Sequence, residues 1–174
     1  DKTNYHLASI LALGLYDGQN AYYVKKDLIN DSIKKLNKLE KYTYDLKKHL
    51  VALKKIKVNL ENVSFDSMIA AYLLNYNVKD DISYLANQFG YDIPFYEVIS
   101  KAKKLEEETL KKLVSAKAKF IYETKEELEK EMKEEDCTYL FNEIEMPLSV
   151  VLAEMEYQGI RVDVNVLKSM NVEI

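Results

Sequence analysis

Apolar residues recur along this chain at two spacings, which predict where strands and helices lie. Ala8 to Tyr16 is a short apolar run that ends at the turn signal Asp17-Gly18. Ala21 to Val24 follows as the returning strand of a hairpin. Leu28 to Leu39 then places its apolar residues at helical intervals. The chain is therefore expected to begin with a hairpin and a helix.

Strands and helices continue to alternate up to Asn75. Lys41 to Tyr44 and Val58 to Phe65 are predicted as strands, the first in the same sheet as the hairpin. Asp45 and Asp66 each stand at the head of a helical pattern, where a carboxylate accepts bonds from free backbone N–H groups. This order of elements predicts an α/β fold, with a mixed sheet flanked by helices.

The second half of the chain is mainly helical. A helix that Asp80 or Asp81 caps is predicted to end at Gly90. Tyr91 to Ser100 contains a proline and is interpreted as a loop. Lys101 to Asp136 is predicted as one long helix, whose charged residues form a solvated face.

The strongest helical signal runs from Thr138 to Gly159. Six apolar residues lie on one stripe of this segment: Leu140, Ile144, Leu148, Val151, Leu152 and Met155. Pro147 interrupts the pattern, so either the helix kinks there or a new helix starts with proline in its first turn. Asp163 is predicted to cap a last helix.

Composition narrows the classes of protein to consider. With 174 residues and 48% apolar residues, the chain suits one domain, or one domain with a piece of a second. Asp1 at the start and a helical pattern that stops at Ile174 are interpreted as cuts in a longer protein. The single cysteine, Cys137, excludes an internal disulfide and a multi-cysteine zinc site. No apolar run could span a bilayer and no signal peptide is visible, so a cytoplasmic protein without a membrane partner is expected.

The charge is unevenly distributed along the chain. The formal net charge is −4, which gives no overall argument for nucleic acid binding. Lys25 to Lys57, however, carries eleven lysines against four acidic residues. This excess could follow a phosphate backbone, or it could be a solvated face. The second interpretation is favoured because Arg161 is the only arginine and phosphate recognition usually uses arginine.

Two segments carry a family resemblance. Ser64 to Asn75 reads SFDSMIAAYLLN, and Glu143 to Met170 reads EIEMPLSVVLAEMEYQGIRVDVNVLKSM. They resemble two blocks of the bacterial DNA polymerases I of the A family, one in the 3′ to 5′ exonuclease domain and one leading into the polymerase domain. The resemblance covers nearly the whole chain, more loosely from Asn77 to Lys130. It implies a ribonuclease H-like exonuclease domain over residues 1–136 and the first helices of the polymerase domain over residues 137–174.

The resemblance also implies where metal ligands would lie. Proofreading members hydrolyse the terminal phosphodiester with two metal ions held by carboxylates from three motifs. The second motif, N-x-x-[YF]-D, falls on Lys41 to Asp45, where Asp45 matches the metal ligand and Lys41 replaces the asparagine. The third, Y-x-x-x-D, falls on Leu113 to Lys117, where Leu113 replaces the tyrosine and Lys117 the aspartate. The first, D-x-E, would lie before Asp1.

Only one of the expected carboxylates, that of Asp45, can be identified. Asp45 is therefore interpreted as the remnant of a metal site, and its present role is interpreted as that of a helix cap. A lysine at a ligand position is expected to repel a cation. No catalytic residue, metal or cofactor is therefore assigned to this part of the protein, while the parent polymerase would use Mg²⁺. Asp66 does not match a metal ligand and is also interpreted as a cap.

Three functions remain open. The preferred hypothesis is a structural exonuclease-like domain of a DNA polymerase I without nuclease activity. The second is an active, metal-dependent 3′ to 5′ proofreading exonuclease. The third is a non-catalytic module that binds DNA or protein through the face from Lys25 to Lys57. DNA is expected as a partner through the parent protein, which is expected to be a monomer.

Overall fold

The computed structural model describes residues 5–101 and 106–170, and its first element is a hairpin. Strand β1 (Ala12–Tyr16) pairs antiparallel with strand β2 (Ala21–Lys25). The turn is stabilised by Asp17, whose carboxylate accepts the backbone N–H groups of Gln19 at 2.9 Å and Asn20 at 2.7 Å. The predicted hairpin is confirmed, although β1 begins at Ala12 rather than Ala8.

A second pair of strands follows, and its two strands are parallel. A 3₁₀ turn (Lys26–Leu28) leads into helix α1 (Ile29–Leu36). Strand β3 (Lys41–Thr43) then lies parallel to strand β4 (Val63–Asp66). Helix α2 (Leu46–Lys55) connects these strands, and helix α3 (Ser67–Leu73) follows β4.

The strands hydrogen-bond as two separate pairs, so β3 does not share the sheet of the hairpin as the sequence predicted. A common sheet would need hydrogen bonds between a strand of one pair and a strand of the other. The described residues contain no such strand pairing. One pair is antiparallel and the other parallel, with helices packed against both. The predicted α/β class is confirmed.

Three helices follow α3 in the middle of the chain: α4 (Ser83–Gln88), α5 (Tyr96–Ser100) and α6 (Glu107–Glu134). Helix α5 corrects the second half of the segment interpreted as a loop, Tyr91 to Ser100, whereas residues 91–95 form a loop as predicted. Its first turn is fixed by a distant group, because the Tyr96 N–H donates to Asp81 Oδ2 at 2.8 Å. A contact between residues so far apart in sequence leaves no local pattern.

The last helical segment has two parts. A π-helical turn (Leu140–Glu145) leads into helix α7 (Met146–Gln158), which holds Pro147 in its first turn, where proline removes no helical hydrogen bond. The backbone stays helical from Leu140 into α7, because Glu145 and Met146 both have right-handed helical dihedral angles, so the interruption takes the form of a π-helical turn just before the proline. Helix α8 (Val164–Met170) begins after Asp163, whose carboxylate accepts the Asn165 N–H at 2.9 Å, and this predicted cap is confirmed.

Helix α6 forms the centre of the core. Its buried residues are Leu113, Phe120, Thr124, Leu128 and Met132. It lies so close to β1 that a Cβ on Gly14 would be 2.3 Å from the Val114 carbonyl oxygen, which explains why glycine is needed there. Leu113 and Phe120 pack in one hydrophobic cluster, whereas Leu128 and Met132 pack in a second around Phe65.

The apolar stripe predicted on the segment from Thr138 to Gly159 faces outward. Exposure of its six residues ranges from 36% at Leu140 to 63% at Met155. Helix α7 instead buries Met146 and the two small residues Ser149 and Ala153, and it packs closely against α2.

Candidate functional site

Asp45 lies where β3 ends and α2 begins. Its backbone is in the left-handed region, with φ of 63°, and its carboxylate accepts the Lys48 N–H at 3.1 Å. The predicted helix cap is therefore confirmed.

Asp66 also begins a helix, but its carboxylate serves two helices at once. It is fully buried and accepts the N–H groups of Met68 at 2.8 Å and Ile69 at 3.3 Å at the start of α3. It also accepts the N–H groups of Asp45, at 3.1 Å, and of Leu46, at the start of α2. Burial raises the pKa of the Asp66 carboxyl, and the four N–H donors oppose this shift. Asp66 thus confirms the predicted cap and also joins two helix starts.

Lys41 is directed toward helix α1 and not toward a carboxylate. Its ammonium group donates to the carbonyl oxygens of Leu36 at 2.8 Å and Leu39 at 2.7 Å. The Leu36 carbonyl lies at the end of α1, where the helix dipole favours a positive charge, and the Leu39 carbonyl lies in the loop that follows. Partial burial lowers the pKa of Lys41.

Lys117, which the sequence resemblance assigned to the position of the third-motif aspartate, forms an ion pair with Asp81. The distance from Lys117 Nζ to Asp81 Oδ1 is 2.7 Å, and the two side chains are 21% and 22% exposed. Asp81 also accepts the N–H groups of Ser83 at 3.1 Å and Tyr96 at 2.8 Å. Burial opposes ionisation of Asp81, but Lys117 and these donors outweigh it and lower the pKa of the carboxyl.

Leu113, which the sequence resemblance assigned to the position of the third-motif tyrosine, is a core residue. It is 4% exposed and packs in the same hydrophobic cluster as Tyr44 and Phe120. The Tyr44 hydroxyl donates to the Lys79 carbonyl, and burial raises the pKa of this hydroxyl. The negative charges of Asp45, Asp66 and Asp81 raise this pKa further.

Sequence reasoning missed the role of Asp81, which it treated only as one of two alternative helix caps. Asp81 and Lys117 are far apart in sequence, and no spacing pattern connects them. Within residues 5–101 and 106–170, no group of three or more histidine, cysteine or acidic side chains is placed to hold a metal ion.

The lysine-rich face from Lys25 to Lys57 is partly paired within the molecule. Lys47 on α2 contacts Glu156 of α7 at 2.6 Å, and Lys54 forms an ion pair with Glu154. Lys25 contacts Glu107 at 2.8 Å. Some lysines of this face therefore form ion pairs with other helices of this chain.

Known proteins match this chain over most of its length. A sequence model of the family described as "DNA polymerase I, ribonuclease H-like domain" matches residues 1–124. The chain belongs to the DNA polymerase I family. This match also confirms the ribonuclease H-like fold that the resemblance implied, while the predicted domain boundary near Asp136 stays a prediction.

Individual relatives are similar at moderate identity. DNA polymerase I of Bacillus subtilis (strain 168) is 33% identical over 98% of this chain and 21% of the relative. DNA polymerase I of Lactococcus lactis subsp. cremoris is 33% identical over 98% of this chain and 20% of the relative. DNA polymerase I of Geobacillus stearothermophilus is 30% identical over 98% of this chain and 21% of the relative. The chain thus spans about a fifth of the length of these relatives.

In the part of the chain that the structure describes, none of the helices combines the length and apolar character of a membrane-spanning segment.

Proposed function

We propose that residues 1–136 are an exonuclease-like domain without nuclease activity, which serves as a scaffold for the first helices of the polymerase domain in residues 137–174. The observation that carries this proposal is the ion pair between Lys117 and Asp81. It puts an ammonium group at the position that matches a metal-binding aspartate, and it engages the nearest carboxylate.

The other residues at the motif positions do not fit a site for two divalent cations, which need several carboxylate oxygens. Asp45 offers a carboxylate that caps α2. Lys41 and Leu113 supply no oxygen ligand, and they stabilise the end of α1 and the core. We therefore assign no hydrolytic step to these residues.

The contact between α2 and α7 supports the scaffold role. Helix α7 lies in the segment that resembles the start of the polymerase domain, and it packs against α2 and buries Met146, Ser149 and Ala153. Glu154 and Glu156 of α7 pair with lysines of α2. Apolar packing and charge pairing both fix the position of this helix on the exonuclease-like domain.

For the whole protein we propose a DNA-directed DNA polymerase that uses Mg²⁺ and acts on DNA in replication and repair. The relatives named above carry the name DNA polymerase I. A monomeric protein in the cytoplasm, where bacterial DNA is copied, fits this proposal. The chain described here would contribute no catalytic group to polymerisation.

A nuclease assay tests the proposal directly. The 174-residue chain is incubated with 5′-labelled single-stranded DNA and either Mg²⁺ or Mn²⁺, and the DNA is expected to keep its length. Shortening from the 3′ end that Asp45→Ala abolishes would establish an active exonuclease instead.

A binding assay tests the remaining alternative. The same chain is titrated with labelled DNA at several salt concentrations, next to a variant with Lys34→Glu, Lys35→Glu and Lys38→Glu. We expect weak binding that the variant hardly changes. Steeply salt-dependent binding that the variant loses would favour a DNA-binding module.

A further inference from the structure

An open cleft of about 510 Å³ lies beside the tip of the hairpin. The four candidate site residues, Lys41, Asp45, Leu113 and Lys117, do not line it. Its walls include four tyrosines and two carboxylates: Tyr16, Tyr42, Tyr91, Tyr122, Glu123 and Glu126. Strands β1 and β3, helix α6 and the segment after α4 all contribute to it. The proposed function does not use this cleft.

Hydrogen bonds hold three of the tyrosine rings in place. The Tyr16 hydroxyl donates to the Gly18 carbonyl at 3.1 Å, and the Tyr91 hydroxyl donates to Glu123 Oε2 at 3.1 Å. The Tyr42 hydroxyl donates to Glu40 Oε2 at 3.3 Å. Rings fixed in this way lose little conformational freedom when a ligand binds.

The cleft already binds a cation of its own chain. Lys125 Nζ lies 4.8 Å from the centre of the Tyr42 ring and 2.7 Å from Glu129 Oε2. Its side chain is only 17% exposed, so this ammonium group is largely withdrawn from water. A ring face combined with a carboxylate therefore holds a positive charge in this environment.

A second combination of the same kind remains open to solvent. Tyr122 is 43% exposed and its ring meets Tyr16 edge to face, with 5.4 Å between the ring centres. Glu126 lines the cleft one turn further along α6, and among the described residues its carboxylate has no ion-pair partner. An aromatic surface and an accessible carboxylate are thus presented together.

We propose that this cleft binds an arginine side chain in an extended segment of a partner protein. A planar guanidinium group can stack on a tyrosine ring and donate to a carboxylate at the same time, which the compact ammonium group of lysine does less well. Lys125 of the cleft is already paired with Glu129, and Glu123 with Lys119, whereas Glu126 has no ion-pair partner among the described residues, so the remaining negative charge favours a basic peptide over a single-stranded DNA.

Titration followed by NMR tests this proposal on the 174-residue chain. The probe is an acetylated, amidated Gly-Gly-Arg-Gly-Gly peptide, and its matched control carries citrulline, which has the same shape without the charge. We expect the arginine peptide to shift the amide signals of Tyr122 and Glu126 and to bind at least about fivefold more tightly than the citrulline peptide. Glu126→Gln and Tyr122→Ala should each weaken binding about two- to fivefold.

Glu134→Gln removes an exposed carboxylate at the last residue of the same helix, about two turns beyond Glu126, and it should leave binding unchanged. Glu126→Gln keeps the side-chain volume, so its result stands even where Tyr122→Ala disturbs folding. The proposal is wrong if neither peptide shifts the cleft signals up to about 10 mM, or if the two peptides bind equally. If a ten-nucleotide oligothymidine shifts the same amide signals and the arginine peptide does not, the cleft binds nucleic acid instead.

Discussion

At the scale of single residues, Asp45 combines a strained backbone with a favourable side-chain contact. Its φ of 63° lies in a region that costs most residues about 1–2 kcal/mol, while aspartate and asparagine tolerate it better. Its carboxylate offsets part of this cost by accepting the Lys48 N–H. Position 45 therefore favours a short polar side chain without any need for a metal.

This balance predicts an order among substitutions of Asp45. Asp45→Ala loses the cap and keeps the strain, so it should lower the free energy of unfolding by about 2 kcal/mol. Asp45→Asn should cost less than about 1 kcal/mol, because asparagine can cap the helix and adopt the same backbone. Asp45→Gly should fall between them. Urea unfolding measures all three, and an equal loss for alanine and glycine would show that the backbone carries no strain.

Lys117 and Asp81 form a pair that is costly to break on one side. Each side chain is about one-fifth exposed, so removal of either partner leaves a charge in a mostly buried place. Lys117→Met should lower the free energy of unfolding by about 2–3 kcal/mol. Lys101→Met is the matched control, because the pair of Lys101 with Glu97 is 73% and 79% exposed and should contribute under about 0.5 kcal/mol. Thermal unfolding compares the two variants.

The pH dependence distinguishes an ion pair from simple packing. The pKa of Asp81 is lowered from its ordinary value of 3.8, so its ionised form stabilises the folded state above that pH. This stability is lost as the pH falls below 3.8 toward the folded-state pKa. In Lys117→Met the pKa is depressed less, so stability should fall less between neutral pH and about pH 3 than in the unchanged chain. Parallel pH curves for both proteins would contradict this account.

At the scale of elements, Asp66 connects the starts of two helices. The carboxylate at the end of β4 accepts N–H groups from both α2 and α3. The parallel pairing of β3 and β4 brings Thr43 opposite Asp66, which places the two helix starts side by side. One buried carboxylate thereby satisfies backbone donors of two helices.

Substitution of Asp66 should therefore affect more than one helix. Asp66→Ala leaves four N–H groups without this acceptor and should lower the free energy of unfolding by about 3–4 kcal/mol. Hydrogen exchange should speed up at the first turns of both α2 and α3. Asp163→Ala is the control, because Asp163 caps only the exposed helix α8 and should cost about 1 kcal/mol or less. Faster exchange confined to α3 would contradict the joint role.

The sequence predicted those features that depend on neighbouring residues. The caps at Asp45, Asp66 and Asp163 follow from contacts within one helical turn, so a local pattern contains them. Helix α5 and the Lys117 pair both depend on Asp81, which lies far from its partners in sequence. Periodicity carries no information about such contacts, and sequence reasoning therefore missed them.

At the scale of the whole molecule, periodicity identified α7 as a helix without showing which side it buries. The apolar stripe that gave the strongest signal is exposed, whereas the buried residues of α7 include the small residues Ser149 and Ala153. Small residues let two helix backbones approach closely, and a hydrophobic pattern gives them little weight. The two separate strand pairs were missed for a related reason, since strand pairing is not written in the spacing of either strand.

Charged side chains lie at the edge of the contact between α7 and α2. Their pairing should help to fix the position of α7 on α2. Lys54 and Glu154 are 30% and 45% exposed, so their pair should contribute about 0.5–1 kcal/mol. Lys54→Glu or Glu154→Lys alone places like charges together and should speed hydrogen exchange in α7. The double variant, with Lys54→Glu and Glu154→Lys, restores opposite charges, so its hydrogen exchange in α7 should return close to that of the unchanged chain. The differences in hydrogen exchange between these variants should shrink in about 1 M salt. Failure of the double variant to recover would show that Lys54 and Glu154 are not coupled, and unchanged exchange in both single variants would mean that packing of the buried face of α7 positions the helix without these charges.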